Sequence, residues 1–207
     1  MIVKDYLFIP EWPILYMDNH LLALYKPAGL PVQGDASGDI SLLDIGKLWL
    51  KEKFNKPGNV FLGLVHRLDR PVAGVMLFCR TSKAAGRISE QIRSREIKKT
   101  YIAVLEGNLK QEHGILLNNI ERIHGKSSRI LKKPTKDSSE ARLSFRKIMK
   151  TESLSDETLV EIDLETGRHH QIRAQFGYLG HPVKGDLRYG AKNPMPERQI
   201  ALLAKKI

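Results

Sequence analysis

The chain has 207 residues, 42% of them hydrophobic, which is enough for one buried core and near the size of a single domain. Thirty-four Lys and Arg against 23 Asp and Glu give a net charge of +11, and residues 66 to 136 alone hold 16 basic and 6 acidic groups. Such clustering is either the footprint of a polyanion binder, with nucleic acid the commonest polyanion, or a solvated basic surface. The single cysteine, Cys79, excludes an internal disulfide. No apolar run approaches the ~20 residues of a membrane span, and MIVKDYLFIP lacks the pattern of a secretory leader, so a cytoplasmic protein is expected.

Taken in order, ILYMDNHLLALYKPAGLPVQ, 14 to 33, holds two β-prone runs around Asp18-Asn19-His20 and then Pro27-Ala28-Gly29, a hairpin followed by a loop. SLLDIGKLWLKEKF, 41 to 54, reads as a helix behind a Ser41 cap with Leu42, Ile45, Leu48 and Trp49 on its apolar side. HRLDRPVAGVM, 66 to 76, sets one acid, Asp69, between Arg67 and Arg70 where the chain enters the buried strand VMLFC, 75 to 79. Thr81 or Ser82 then caps a helix with Ala85, Ile88 and Ile92 on one face and Arg87, Arg93 and Arg95 outside. The strand TYIAVLEG places Tyr101, Ala103 and Leu105 on one face and Ile102 and Val104 on the other, both expected to be covered.

From 108 to 150 the pattern weakens into short β-like pieces. Within it, residues 122 to 136 carry six basic side chains and no acid, an expected exposed hairpin or loop. ARLSFRKIM and TLVEIDLE read as strands, and GRHHQIRAQFGYLG as a helix bounded by glycines. On such a helix Arg173 lies four residues past His169 and three past His170, so these polar groups can share a face. His66 is read as fixing its turn, Lys26-Pro27 as shaping a loop, and Gly185-Asp186 with Tyr189-Gly190 as a tight turn. His169-His170 lacks companions at metal-ligand spacing, so no metal is expected.

Four segments in this order, DNHLLALYKPAGLPV, HRLDRPVAGVMLF, KKTYIAVLEG and LETGRHHQIRAQFGYLGHPVKGDLRYG, give the chain a resemblance to the RluA family of RNA pseudouridine synthases over nearly its whole length. The resemblance implies an α/β (α+β) fold: a mixed, mostly antiparallel bent sheet flanked by helices, with a central RNA-binding cleft. It implies that Asp69 is the catalytic aspartate, acting at the ribose side of the target uridine while the base detaches, rotates and rejoins through C5. Arg173 corresponds to the arginine that pairs with that aspartate, Tyr101 to the tyrosine that packs on the target base, and Arg67 to the arginine at the flipped-out nucleotide. A carboxylate is suited to the task, because breaking an N-glycosidic bond builds positive character on the sugar. A neighbouring arginine keeps it an anion able to act as nucleophile or base, and both uses need the same residue.

Further RNA contacts are expected from Arg70, Lys98, Lys99 and Arg168, and from Arg129, Lys132 and Lys133 of the basic segment. Phosphate contacts there would supply affinity and salt sensitivity without sequence choice. No redox or phosphate-transfer step occurs, so no cofactor is expected. The partner is structured RNA, ribosomal or transfer, with no membrane and no obligate protein partner. One catalytic domain over 1 to 207 is expected, without a preceding S4-like domain. Two departures from the family pattern stand out: Ala73 occupies a place where a hydroxyl residue is usual, and Leu203 stands where His is common. The chain also stops at Ile207, short of the family's usual final strand segment, which puts the C-terminal edge of the sheet in question. The competing class is an RNA-binding protein that keeps the fold with little turnover. A DNA-binding regulator would need a partner helix ahead of helix 82 to 97, which the sequence lacks.

Overall fold

The computed structural model describes residues 14–123, 127–149 and 156–207. The chain divides into two compact units, Met1–Ile97 with Ile207 and Lys98–Lys206.

In the first unit, β1 (Ile14–Met17) and β2 (Leu21–Lys26) form the expected hairpin. Its turn is held by Asp18, whose Oδ1 accepts the N–H groups of His20 at 2.7 Å and Leu21 at 2.6 Å. Strand β2 pairs antiparallel with β4 (Ala73–Cys79), and the two-residue β3 (Gly63–Leu64) also pairs with β4. Period-two alternation buries Leu22 and Leu24 of β2 with Met76 and Phe78 of β4. Helix α1 (Leu42–Lys53) begins at Ser41 in a capping box with Asp44. It comes so close to the sheet that a Cβ on Gly46 would lie 2.8 Å from Leu62 Cδ2 and 3.3 Å from Leu24 Cδ1. The buried stripe is Leu42, Ile45, Gly46 and Leu50, and Leu48, expected inside, is exposed. At 100° per residue, position 48 falls well off the stripe begun by 42 and 45, and 50 falls on it. Helix α2 (Ser82–Arg93) is capped by Thr81, whose Oγ1 accepts from Ala84 N at 3.1 Å. As expected, Ala85, Ile88 and Ile92 are half-buried while Arg87 and Arg93 are exposed.

The second unit is an antiparallel sheet in the order β10 (Leu202–Lys206), β5 (Thr100–Glu106), β9 (Glu157–Leu164), β8 (Ser138–Met149), β6 (His113–Ile123), β7 (Ser127–Leu131). The C-terminal segment in question therefore forms a strand, β10, with Leu203 opposite Ile102. The short pieces expected between 108 and 150 are instead two long strands, β6 and β8, paired over nine positions from His113↔Arg146 to Glu121↔Ser138. Alternation is hidden in β6 because Ile115 and Leu117 lie exposed on one face while polar Asn118 points inward. On β5, Ala103 and Leu105 are fully buried, but Ile102 and Val104 are only half-covered, so one face alone is sealed.

Helix α3 (Gln171–Tyr178) lies on the sealed face. Phe176 meets Phe145 edge-on, with ring centroids 5.5 Å apart. Gln175 Nε2 donates to Asn118 Oδ1 at 2.8 Å and reaches the carbonyls of Ala141 at 3.1 Å and Leu116 at 3.2 Å, tying the helix to β6 and β8. The helix starts later than the glycine at 167 suggested. His170 adopts φ +53°, a left-handed conformation that a right-handed helix cannot contain, so residues 166 to 170 form a turn. That turn is organised by Gln171 Oε1, which accepts from Thr166 Oγ1 at 2.8 Å and Arg168 N at 3.0 Å. Among the described residues, no helix is long and apolar enough to cross a membrane.

Candidate active site

In the first unit, Arg67, Asp69 and Arg70 share one turn. Leu68 and Val72 anchor it in the core, and Val72 N donates to Asp69 O at 3.0 Å. The intervening side chains therefore point outward: Arg67 and Arg70 are exposed and Asp69 is half-buried. His66 fixes the approach to the turn, its Nε2 accepting Leu77 N–H at 2.9 Å, which leaves the ring proton on Nδ1.

Two basic residues brace the Asp69 turn. Lys26, fully buried, donates to the carbonyls of Leu30 at 2.8 Å, Pro27 at 3.0 Å and Arg70 at 3.0 Å. All three ammonium protons thus join the 27–30 loop to the residue following Asp69. Burial pushes this ammonium down to about 7, opposed by the negative charge of Asp69 and reinforced by the positive charge of Arg70. Arg70 donates from Nε to Gly29 O at 2.8 Å and from Nη2 to Asp39 Oδ2 at 2.5 Å, with Ser37 Oγ 3.3 Å from Nη1. Arg70 and Ser37 hold the Asp39 carboxyl below its usual range.

In the second unit, Lys98, Lys99 and Tyr101 stand together at the start of β5. Alternation exposes Lys98 and half-buries Lys99 and Tyr101. Tyr101 lies opposite Ile162 on the face that α3 covers. Burial alone lowers the Lys99 ammonium, which sits beside Gly167: a Cβ there would lie 3.6 Å from Nζ.

Arg173, on the first turn of α3, is buried and carries a two-pronged bond to Asp186: Nε to Oδ2 at 2.6 Å and Nη2 to Oδ1 at 2.9 Å. Its guanidinium carbon lies 5.1 Å from the Tyr189 ring centroid. The Tyr189 hydroxyl accepts Ser128 N–H at 2.8 Å and meets His170 Nδ1 at 2.8 Å. The GDLRYG segment, read as a turn, therefore also supplies the acid and the ring that grip Arg173. Asp186 and Tyr189 both fall in the last of the four family-like segments, but their partners lie 13 and 61 residues away and sequence order does not pair them.

The remaining basic residues are on or near the hairpin and the turn. Arg129 projects from β7 and pairs with Glu121 across the hairpin at 2.7 Å. Lys132 and Lys133 are exposed just past β7. Arg168 is exposed and donates to Glu140 O at 3.0 Å. Residues 124 to 126 of the basic segment lie outside the described residues.

Residues 20–178 match the family model described as RNA pseudouridylate synthase, a stretch containing Asp69, Tyr101 and Arg173. The chain is 32% identical over 205 residues to an uncharacterized RNA pseudouridine synthase, YhcT, of Bacillus subtilis, covering 96% of this chain and 65% of that protein. It is 35% identical over 181 residues to ribosomal large subunit pseudouridine synthase C of Escherichia coli K12, covering 86% and 53%. The chain thus spans between half and two thirds of the length of these curated relatives. Among solved structures, human RNA Pseudouridylate Synthase Domain Containing 4 superimposes with a TM-score of 0.77 at 22% identity, over 93% of this chain and 82% of that one. Human RNA Pseudouridylate Synthase Domain Containing 1 gives 0.73 at 22% identity, over 93% and 76%. These likenesses establish the fold.

Proposed function

Because the chain belongs to the RNA pseudouridylate synthase family, we propose that it isomerises uridine to pseudouridine in structured RNA, with Asp69 as the catalytic carboxylate. The observation that carries this reading is that the family match, residues 20–178, spans the Asp69 turn, Tyr101 and the helix bearing Arg173.

The target uridine leaves its stack at a cost of roughly a few kcal/mol, offset by stacking on Tyr101, with Arg67 at the flipped-out nucleotide. Asp69 then acts on the ribose as the C1′–N1 bond breaks and the electron pair departs with the base. The uracil rotates, C5 bonds to C1′, and the C5 proton is lost while N1 gains one, so the product is an isomer and no water is consumed. Arg173, itself fixed by Asp186, takes the role of the arginine that serves the catalytic aspartate in the family this chain resembles. Lys98, Lys99, Arg70, Arg129, Lys132, Lys133 and Arg168 contribute phosphate contacts. The whole chain acts as one catalytic domain in the cytoplasm, without a cofactor. The names of its relatives make large-subunit ribosomal RNA the first substrate to test and transfer RNA the second.

The test is tritium release from [5-³H]uridine-labelled ribosomal and transfer RNA by wild type and Asp69→Asn. Release by wild type alone, with RNA affinity of the variant within a few-fold, is the expected result. Comparable release by Asp69→Asn would remove Asp69 from the chemistry. Tight binding with no release by wild type would favour a binding protein.

A further inference from the structure

Ser128, on β7 of the basic hairpin, is buried and uses both its backbone and its side chain on the segment leading to Arg173. Its N–H donates to the Tyr189 hydroxyl at 2.8 Å. Its own hydroxyl lies 2.7 Å from the His169 carbonyl and 3.0 Å from His169 Nδ1. A hydroxyl has one proton, and a carbonyl can only accept. The Ser128 proton therefore goes to the His169 carbonyl, and Nδ1 must carry the proton that Ser128 accepts. Ser128 thus selects the Nδ1–H tautomer of His169 and holds the peptide that follows it.

That peptide leads into a strained residue. His170 has φ +53°, which costs a non-glycine residue on the order of 1 kcal/mol. Its ring stacks on His169, with centroids 3.8 Å apart and planes 18° apart, and its Nδ1 meets the Tyr189 hydroxyl. Tyr189 in turn underlies the Arg173 guanidinium. The same place is sealed by apolar contact, since Ile120 and Ile130 of the hairpin pack in one cluster with Ala174 and Tyr189. The hairpin is therefore joined to the first turn of α3 by hydrogen bonds and by packing together.

We propose that Ser128 is a positioning residue for the reaction: it holds the His169–His170 turn and Tyr189, and through them the orientation of Arg173, so that the hairpin sets turnover as well as RNA affinity. The inference rests on the proposed uridine isomerisation. Ser128→Ala removes the hydroxyl without adding bulk. In the intact chain, single-turnover tritium release at saturating RNA should fall about tenfold, the equivalent of one well-placed hydrogen bond, with RNA dissociation constant within twofold and melting temperature lowered by only a few degrees. Nitrogen-15 NMR of the His169 ring, assigned by its absence in His169→Asn, should show Nδ1–H in wild type and loss of that preference in Ser128→Ala. An unchanged rate, a defect wholly in affinity, or an unchanged tautomer would each overturn the proposal. Failure of wild type to release tritium from any RNA would count against the isomerase reading, and the NMR comparison would still decide whether Ser128 fixes His169.

Discussion

Arg173 shows how a single charged side chain is made rigid. Its fork is matched by Asp186, both groups are more than nine-tenths buried, and an aromatic ring lies beneath it. Removing the charge of one member of a buried pair takes away much of the other's compensation, a cost of up to about 3–5 kcal/mol. Asp186→Asn should therefore lower the urea midpoint sharply, although the substitution is nearly isosteric. A change below about 1 kcal/mol would show that the pair is not what keeps Arg173 in place. Lys26 makes a different prediction, because its ammonium titrates near 7 in the folded chain and near the ordinary lysine value of ~10.4 when unfolded. Between those values the unfolded state binds the extra proton, so stability rises with pH, by at most about 1.4 kcal/mol per unit. Lys26→Met should flatten that slope between pH 7 and 9 in urea unfolding, and an equal slope in both proteins would place the folded-state value elsewhere. At this scale the motifs single out Asp69, Tyr101 and Arg173, and the structure puts them in the turn before β4, on β5 and on α3; the roles given to them are those proposed above. Lys26 as a brace, Asp186 as a fork and Ser128 as a tie were not legible, because each acts on a group distant in sequence.

Among the elements, legibility followed how local the cause was. The start of α1 was readable because Ser41 and Asp44 form the cap from within four residues. The alternation of β5 was likewise local. Strand β6 escaped because Ile115 and Leu117 face outward while Asn118 is drawn inward by Gln175, and no residue in 113 to 123 announces that partner. Helix α3 was placed correctly but begun too early, since His170, whose ring meets the distant Tyr189, takes a left-handed conformation that ends the helix there and that no neighbour in sequence signals. The close packing of α3 against the 187–189 turn gives a direct test. A Cβ at Gly177 would lie 2.7 Å from Tyr189 O, a backbone atom that cannot swing aside. Gly177→Ala should destabilise the protein by about 1–3 kcal/mol despite alanine's better helix propensity, and should slow tritium release by moving Tyr189. A more stable, fully active variant would show that the turn yields easily.

Over the whole molecule, the excess of eleven positive charges is concentrated rather than spread, and much of it projects from exposed positions such as Arg67, Arg87, Lys98, Lys132 and Lys133. Binding that neutralises phosphates releases counterions, so log affinity falls linearly with log salt. Changing Lys132 and Lys133 together to Ala should reduce the magnitude of that slope by about 1.5 if each meets one phosphate. Filter binding from 50 to 300 mM KCl would read it, and an unchanged slope would assign the two lysines to solvent.

Cys79 fills the core behind β4, and its complete burial turns it into a clock. Burial also raises its thiol above the usual range, so a thiol reagent meets no reactive anion while β4 stays closed. Labelling must wait for the unit that contains β4 to open. With one cysteine in the chain, the labelling rate counts those openings in a single population of molecules, without a probe being engineered. Compared with the loss of bulk helical signal in denaturant, it separates a breathing motion of the aspartate-bearing unit from global unfolding, and tells whether bound RNA slows the one, the other, or both.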